Sequence, residues 1–466
     1  MSISVDSTIE RVFSYIDRNR ERFVEDLRKL LRQPSISAQN IGLEDCAELV
    51  AELMQQKGIP AQVMPLERGP PIVFGEVKSK SSNRTLVCYA HYDVQPPEPL
   101  DQWISPPFSA EIRDATVFAR GATDDKSAIL AFLAATEAFM KDSGDIPVNL
   151  KFVFEGEEEV GSPHFDAWAT SNRALAQGDG LIAVDGSVDP STGRPPLVFG
   201  FGGGGGYFEL HANTEAKGDT HAGEANFVTN AAWRLVWALS TIKDQNERIL
   251  IEGWYDDAPR SLPLQAVEWL DDWARDFDEE KTKRHFGVNE FLLGRTGRDL
   301  LRARMFDPTC TIAGIEAGYT GPGSKTIVPS KAMARIDCRS PFPIRDPLGK
   351  LRRHLEKHGF SDVKVVARER KPLRGKGPEF TSPEAAVSKA VINAALKVFG
   401  KKPVFQGMQL TRAEGVYRVM LDVPAVITRF GAPGDNIHAP NENIPIDTFI
   451  RGIKYTAAIM AYFATS

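Results

Sequence analysis

Five short stretches put metal-ligating or proton-accepting side chains where strands are predicted to end. LVCYAHYDV closes an apolar run on His91 and Asp93, and ARGATDDKSAILAFL sets Asp124 and Asp125 just ahead of a helical pattern. FVFEGEEEVGS carries Glu157, Glu158 and Glu159 past a β-rich run, LIAVDGS closes on Asp185, and GDNIHAPNE offers His438 in a loop. Taken singly, each has a plain structural reading. An Asp ahead of a helix is an N-cap, a charge run is a solvated face, and a lone histidine is a hydrogen-bonded structural residue. Taken together, two histidines and several carboxylates at strand exits form a ligand inventory for divalent metal. Imidazole nitrogen and carboxylate oxygen suit zinc, with manganese or cobalt as alternatives. Two His and three carboxylates exceed one tetrahedral ion and suffice for two ions that share a carboxylate.

Such groups need strands that end side by side. Runs at 61–65, 72–77, 85–90, 148–154 and 181–184 read as strands, and residues 44–57 and 126–141 as helices. Ile9, Val12, Phe13, Ile16, Phe23, Leu27 and Leu30 recur at close to helical spacing, which predicts one amphipathic helix over 7–31. Strands alternating with helices predict an α/β layer architecture, whose strand ends collect ligands. Glycines 202–206 read as a hinge and a domain boundary. Beyond them come a strand at YFELHAN, a helix at NAAWRLVWALSTI and the helix-rich LQAVEWLDDWARDF. Strands at 332–338 and 362–368 then flank a helix at 347–357. That order predicts an α+β domain, 207–374, inserted into a catalytic domain made of 1–206 and 375–466. A helix near 383–398 and a strand at PAVITRFG complete the latter. No internal repeat is visible.

The chain of 466 residues is 42% hydrophobic and 25% charged, a mix that separates it from disordered and fibrous chains. A net charge of -6 argues against a nucleic-acid partner, which needs clustered positive charge. Cys46, Cys88, Cys310 and Cys338 lie far apart in sequence with no C-x-x-C pair, so neither a zinc ribbon nor a disulfide framework is expected. The N-terminal stretch is charged and lacks a signal-peptide core, and no apolar run approaches membrane-spanning length. A cytoplasmic protein without a membrane partner is the expectation.

HYDV, RGATDDKS, EGEEEVGS, VDGS and HAPNE, in this order, resemble the M20 family of dinuclear zinc peptidases and amidohydrolases. The inserted domain and the AGYTGPGSKTIVPSKAMARIDCR segment resemble its carnosine-dipeptidase-like branch. The resemblance implies a catalytic domain with a mixed sheet flanked by helices, of the phosphorylase/hydrolase-like kind, plus an inserted α+β lid or dimerisation domain. It also implies two divalent ions: Asp124 bridges them, His91 and Asp185 complete one site, and Glu159 and His438 complete the other. Glu158 is then the general base, Glu157 is solvated, and the peptide before Asp125 is cis. Asp93, two residues from His91, is placed to accept the second imidazole N–H. By the same resemblance, His221 reaches the active site across a homodimer interface to hold the oxyanion, Asn230 supports it, and Arg339 binds a substrate carboxylate or oxyanion. Gly415 belongs to the segment around that carboxylate. There the chain departs from the family pattern, because Glu414 and Val416 replace a glycine and a serine in TRAEGVYRV, with Arg412 or Arg418 left to compensate.

The implied activity is metal-dependent hydrolysis of a peptide or amide C–N bond in a small substrate. Dipeptidase chemistry competes with N-acyl amino acid deacylation or a specialised amidase. Two further readings carry less. GYTGPGSKT misses the P-loop pattern by one residue and precedes no helix pattern. A non-catalytic scaffold would require a decayed ligand set, and every ligand type is present.

Overall fold

The computed structural model describes residues 5–200, 204–258, 264–342, 344–368, 380–406 and 412–466. Eight strands form a mixed sheet in the order Ala61–Met64, Ile72–Val77, Asn149–Glu155, Thr85–His91, Gly180–Val184, Ala425–Thr428, Pro196–Val198 and Val404–Gln406. The four strands from Asn149–Glu155 to Ala425–Thr428 run parallel. Thr85–His91 lies inside this group, with its successors placed on opposite sides, so its carboxyl end opens at the point where strand order reverses. Register sets His91 beside Glu155 and Tyr89 beside Ala183. Adjacent strands therefore release their following loops at one level, the usual place for ligand-binding groups.

Period-2 alternation explains why these strands read as continuous apolar runs. Leu86, Cys88 and Ala90 enter one core, and Val87 and Tyr89 enter the core on the opposite face. Both faces are covered, so no polar alternation is needed. The helix Lys126–Ser143 is buried along nearly its whole length, from Lys126 to Phe139. It packs against the helices Val5–Arg18, Arg20–Leu31 and Ile446–Thr465. An all-round apolar helix must be an interior one, and this one fixes Asp124 and Asp125 at its buried start. The single helix predicted over 7–31 is two helices, which meet at Asn19 with φ −107° and ψ 12°.

A second, antiparallel sheet has the order Thr309–Ala317, Lys331–Ser340, Gly204–Asn213, Val363–Arg368, and carries the helices Ala231–Ile242 and Pro347–Lys357. The glycine run is not wholly the unpacked hinge predicted from it. Residues 202 and 203 lie outside the described residues, but Gly204, Gly205 and Gly206 are strand, paired with Ser340, Arg339 and Cys338. Gly205 sits at φ +115°, and a Cβ there would run into the Cys338 carbonyl, so the close strand approach demands glycine. The second predicted boundary, at 375, lies outside the described residues.

Part of the segment 207–374 packs on the large sheet. The helix Leu264–Arg275 packs on the edge strand Val404–Gln406 of the large sheet and Gly297–Phe306 packs on that helix, and Leu270, Trp273, Leu301 and Met305 form a core with Val404. Trp269 stacks on Phe405 at 5.1 Å and meets Phe199 edge-on at 4.4 Å. Arg194 pairs with Asp276 at 2.9 Å and also with Asp272. An apolar edge strand must be covered, and this segment covers it. Among the described residues no helix is long and apolar enough to cross a membrane. Replacing Trp269 by Ala is expected to destabilise the protein by about 3 kcal/mol in denaturant unfolding; a loss below about 1 kcal/mol would mean that these helices are not anchored through that ring.

Candidate metal centre

The five ligand candidates converge. His91 leaves one parallel strand, Asp185 follows the next, Glu159 lies on a turn after the third, Asp124 precedes the buried helix, and His438 comes from the loop beyond the fourth. His91 Nε2 is 3.1 Å from Asp124 Oδ1, and His438 Nε2 is 3.0 Å from Asp124 Oδ2 and 3.2 Å from Glu159 Oε2. Ligand atoms of His91, Asp124 and Asp185 lie within 4.8 Å of one another, as do those of Asp124, Glu159 and His438. Asp124 is common to both groups.

The donor set fits two divalent cations. Glu159 Oε1 is buried without a hydrogen-bond partner, and buried polar atoms are rarely left so. Two imidazoles and three carboxylates supply nitrogen and hard oxygen in the mixture that zinc accepts. His91, Asp124 and Asp185 would hold one ion; Asp124, Glu159 and His438 would hold the other.

Electrostatics identify what occupies the site when cations do not. Burial favours a neutral His91 ring, but hydrogen bonds to Asp124 and Asp93 override it and raise His91 well above the usual imidazole range. Asp124 and Glu159 push His438 up to about 10. Burial alone would raise Asp124, yet its two histidine partners hold it below the ordinary carboxylate range. Asp185 is pushed up to about 6 by burial and by Asp124. Burial, with Asp185, Glu159 and Asp124 adding to it, raises Glu158 well above the carboxylate range.

Support comes from residues under the ligands. The Asp93 carboxylate accepts the N–H groups of Glu158 and Glu159, one on each oxygen at 3.1 Å. It therefore sets the turn that separates those two side chains. Its predicted contact with His91 is different in detail, because Nδ1 lies 3.0 Å from the Asp93 main-chain oxygen and 3.4 Å from Oδ1. The chain turns at Asp93, just past the strand, and brings its carbonyl closer than its carboxylate. Asp125 follows a cis peptide and accepts the His91 N–H at 3.2 Å.

Glu157 is a correction, since it is only 4% exposed and accepts from the His164 main-chain N–H at 2.8 Å. His164 Nδ1 lies 3.0 Å away as well. The tight 3-10 turn Glu158–Val160 points successive glutamates in different directions, and Glu157 faces inward. Glu414 is also unlike its expectation, being 1% exposed on the helix Arg412–Gly415 between the core residues Ala413 and Val416. A buried helical turn, with Gly415 in it, carries the two residues that replace the family pattern's glycine and serine. Arg418 donates to the Phe199 carbonyl at 3.2 Å, and the Arg412 side chain lies outside the described residues.

His221, Asn230 and Arg339 are not part of the cluster. His221 is exposed on a two-residue strand, and its Nδ1 accepts from Gly223 N–H at 3.0 Å. Asn230 caps the helix Ala231–Ile242 by accepting from Ala232 and Trp233. Arg339 is exposed and donates to Asp337 at 2.9 Å. Arg339 lies on the small sheet, Asn230 caps a helix packed on it, and His221 lies on a separate two-stranded ribbon with Ile327–Val328.

Two supporting residues escaped sequence reasoning. Gln95 Nε2 donates to Glu159 Oε2 at 2.8 Å. Glu442 is fully buried, and its carboxylate accepts from Arg120 Nη1 at 2.7 Å and from the N–H groups of Gly121, Thr123 and Asp124 at 3.0, 3.0 and 3.1 Å. Burial nonetheless pushes it up to about 7, against the opposing pull of Arg120. One side chain thus cradles the loop that ends in the shared aspartate. The signal was the last letter of HAPNE; its partners are 318 to 322 residues away in the chain.

Two outcomes follow from this geometry. Glu442→Gln puts an amide N–H₂ against one pair of donors and is expected to weaken metal binding about 10–100-fold in a chelator competition; unchanged affinity would show that the cradle does not position Asp124. Protonated His91 and His438 must also lose their protons before they can ligate. His438, raised above its unfolded value, stabilises the metal-free fold fully below pH 6.5 and ceases to do so as pH rises through about 10. Titrating zinc into metal-free protein at pH 7 in weak buffer is therefore expected to release about two protons per chain from these imidazoles, with binding tightening as pH rises. Zinc uptake with no acidification would contradict the assignment.

The model for Peptidase family M20/M25/M40 matches residues 87–462. Across 98% of this chain and 93% of its own length, the Beta-Ala-His dipeptidase of Homo sapiens is 27% identical. The Cys-Gly metallodipeptidase DUG1 of Saccharomyces cerevisiae is 26% identical over 98% of this chain and 99% of its own. Among solved structures, the M20 family metallo-carboxypeptidase Sso-CP2 from Sulfolobus solfataricus superposes with a TM-score of 0.85 at 34% identity, covering 95% of this chain and 99% of that one. With the family match spanning most of the sequence and whole-length relatives that are peptidases, the chain belongs to the peptidase family M20/M25/M40 and is a hydrolytic enzyme.

Proposed function

We propose that this enzyme hydrolyses the peptide bond of dipeptide-sized substrates at a centre of two divalent ions, zinc in the first instance, with manganese or cobalt as substitutes. The observation that carries the reading is the Asp124 carboxylate, one oxygen on His91 and the other on His438. The dipeptidase relatives support the substrate class. When bound, the ions supply Lewis acidity toward water and the scissile carbonyl.

The chain's own groups do the rest. Glu158, raised by burial and by neighbouring carboxylates, is the general base: it takes a proton from the attacking water and returns it to the leaving amine. Asp93 holds the Glu158–Glu159 turn, so that one glutamate faces a metal site and its neighbour remains free to move a proton. Gln95 and Glu442 fix Glu159 and Asp124. His221, Asn230 and Arg339, all within 207–374, complete the substrate site when that unit closes or when a second copy presents it; Arg339's planar fork suits a carboxylate. The second reading, an N-acyl amino acid deacylase or specialised amidase, rests on the segment 412–420. There Glu414 and Val416, on a buried helical turn, stand in place of the family pattern's glycine and serine, which alters the clamp around a terminal carboxylate.

We place the catalytic unit in 1–206 and 375–466, supplemented by the helices of 264–306, and the lid in the rest of 207–374. Exposed Phe227, Trp233 and Trp237 on and beside the helix Ala231–Ile242 favour a homodimer through that unit, and a cytoplasmic setting is consistent with four free cysteines.

The test is a hydrolysis panel of dipeptides, N-acyl amino acids and carbamoylated amino acids with each metal; highest efficiency on the acylated set would favour the second reading. Glu158→Ala is expected to lower turnover by at least about 10²–10⁴-fold with both ions retained, and Glu159→Ala to lose an ion. The reverse pattern would exchange the two roles.

A further inference from the structure

The sequence separates Cys310 and Cys338, but the fold makes them direct neighbours. Cys310 lies on the edge strand Thr309–Ala317 of the small sheet and pairs in register with Cys338 of Lys331–Ser340, which in turn pairs with Gly206. The two sulfurs are 3.3 Å apart, with the Cys338 thiol directed at Cys310 Sγ. They are 6% and 2% exposed within the small-sheet core. Directly opposed residues on antiparallel strands have Cα atoms about 4.5–5.5 Å apart, inside the span of about 4.4–6.8 Å that a disulfide bridges. Side-chain rotation alone can therefore close the bond.

We propose that Cys310 and Cys338 are a redox-modifiable dithiol that closes into an intrachain disulfide when the protein meets a hydroperoxide. Cys310 is the attacking sulfur. The hydrogen bond from Cys338 lowers its thiol below the usual range, with Lys243 adding to the effect, while the same contact pushes Cys338 far up. The Cys310 thiolate takes the terminal oxygen of hydrogen peroxide; the O–O bond breaks, hydroxide leaves and is protonated to water, and a sulfenic acid forms. Cys338 then attacks that sulfur, losing its proton, and displaces the hydroxyl as a second water. Two thiols are oxidised to one disulfide, and one peroxide is reduced to two waters. The bond staples the edge strand to the strand whose next residue is Arg339, at the rung where the chain enters the small sheet.

The readout counts thiols and so requires neither metal nor turnover. Cys46 and Cys88, buried in the large core, serve as internal controls. The reduced full-length protein is exposed to stoichiometric hydrogen peroxide, unfolded and titrated for thiols, then digested for mass spectrometry. The expected result is a fall from four to two thiols per chain, a reductant-sensitive peptide pair joining Cys310 to Cys338, and, in Cys338→Ser, a Cys310 sulfenic acid trapped by dimedone. A titre that stays at four, thiols lost only as sulfinic acid, or a link between chains or to Cys46 or Cys88 would overturn the proposal.

Discussion

Crowded negative charge is the constraint on which this structure turns. Asp124, Asp185, Glu158 and Glu159 come together at the ends of parallel strands, mostly buried, where carboxylates repel one another and desolvation penalises each. Two histidines hydrogen-bond into this cluster and are shifted upward by it, and His438, 52% exposed on its side chain, is the one nearest solvent. The upward shifts of Asp185 and Glu158 and the downward shift of Asp124 express a single balance centred on the shared aspartate. Cations would relieve the same repulsion more completely, so the fold stores a preference for them.

That balance needs rigid geometry, and the fold provides it in layers. Parallel pairing levels the strand ends, and the fully buried helix Lys126–Ser143 holds the start of its own chain against them. Beneath the ligands, polar groups work in opposed pairs. Glu442 gathers the loop before Asp124, and Asp93 gathers the turn that carries Glu158 and Glu159. Each is an acceptor buried against main-chain N–H groups, so each fixes backbone rather than a side chain alone. Asp125 adds a third such contact, to the His91 N–H.

Much of this was legible in the sequence. Strands buried on both faces announce themselves as apolar runs, and Ile72–Val77 and Pro347–Lys357 fall where the pattern places them. The residues that cluster here were legible because chemistry restricts the residue types that bind metal, and those types recur at strand ends. What escaped was decided by partners distant in the chain. The break at Asn19 has no glycine or proline to mark it. Glu157 has the same letter as its neighbours, and only the pitch of a 3-10 turn buries it. Trp269 and its helix sit among charged residues that suggest a surface, yet their apolar face covers a sheet edge formed some 130 residues later, near Val404. Glu442 stood inside a recognised motif, but its role depends on a loop it meets only after folding.

The central claim is that one carboxylate joins two cation sites. The most direct measurement is anomalous diffraction from crystals of the zinc-loaded protein. The account predicts two anomalous peaks per chain, about 3.5–4 Å apart, each about 2.0–2.2 Å from a different oxygen of Asp124. A single peak, or two peaks of which only one touches Asp124, would contradict it.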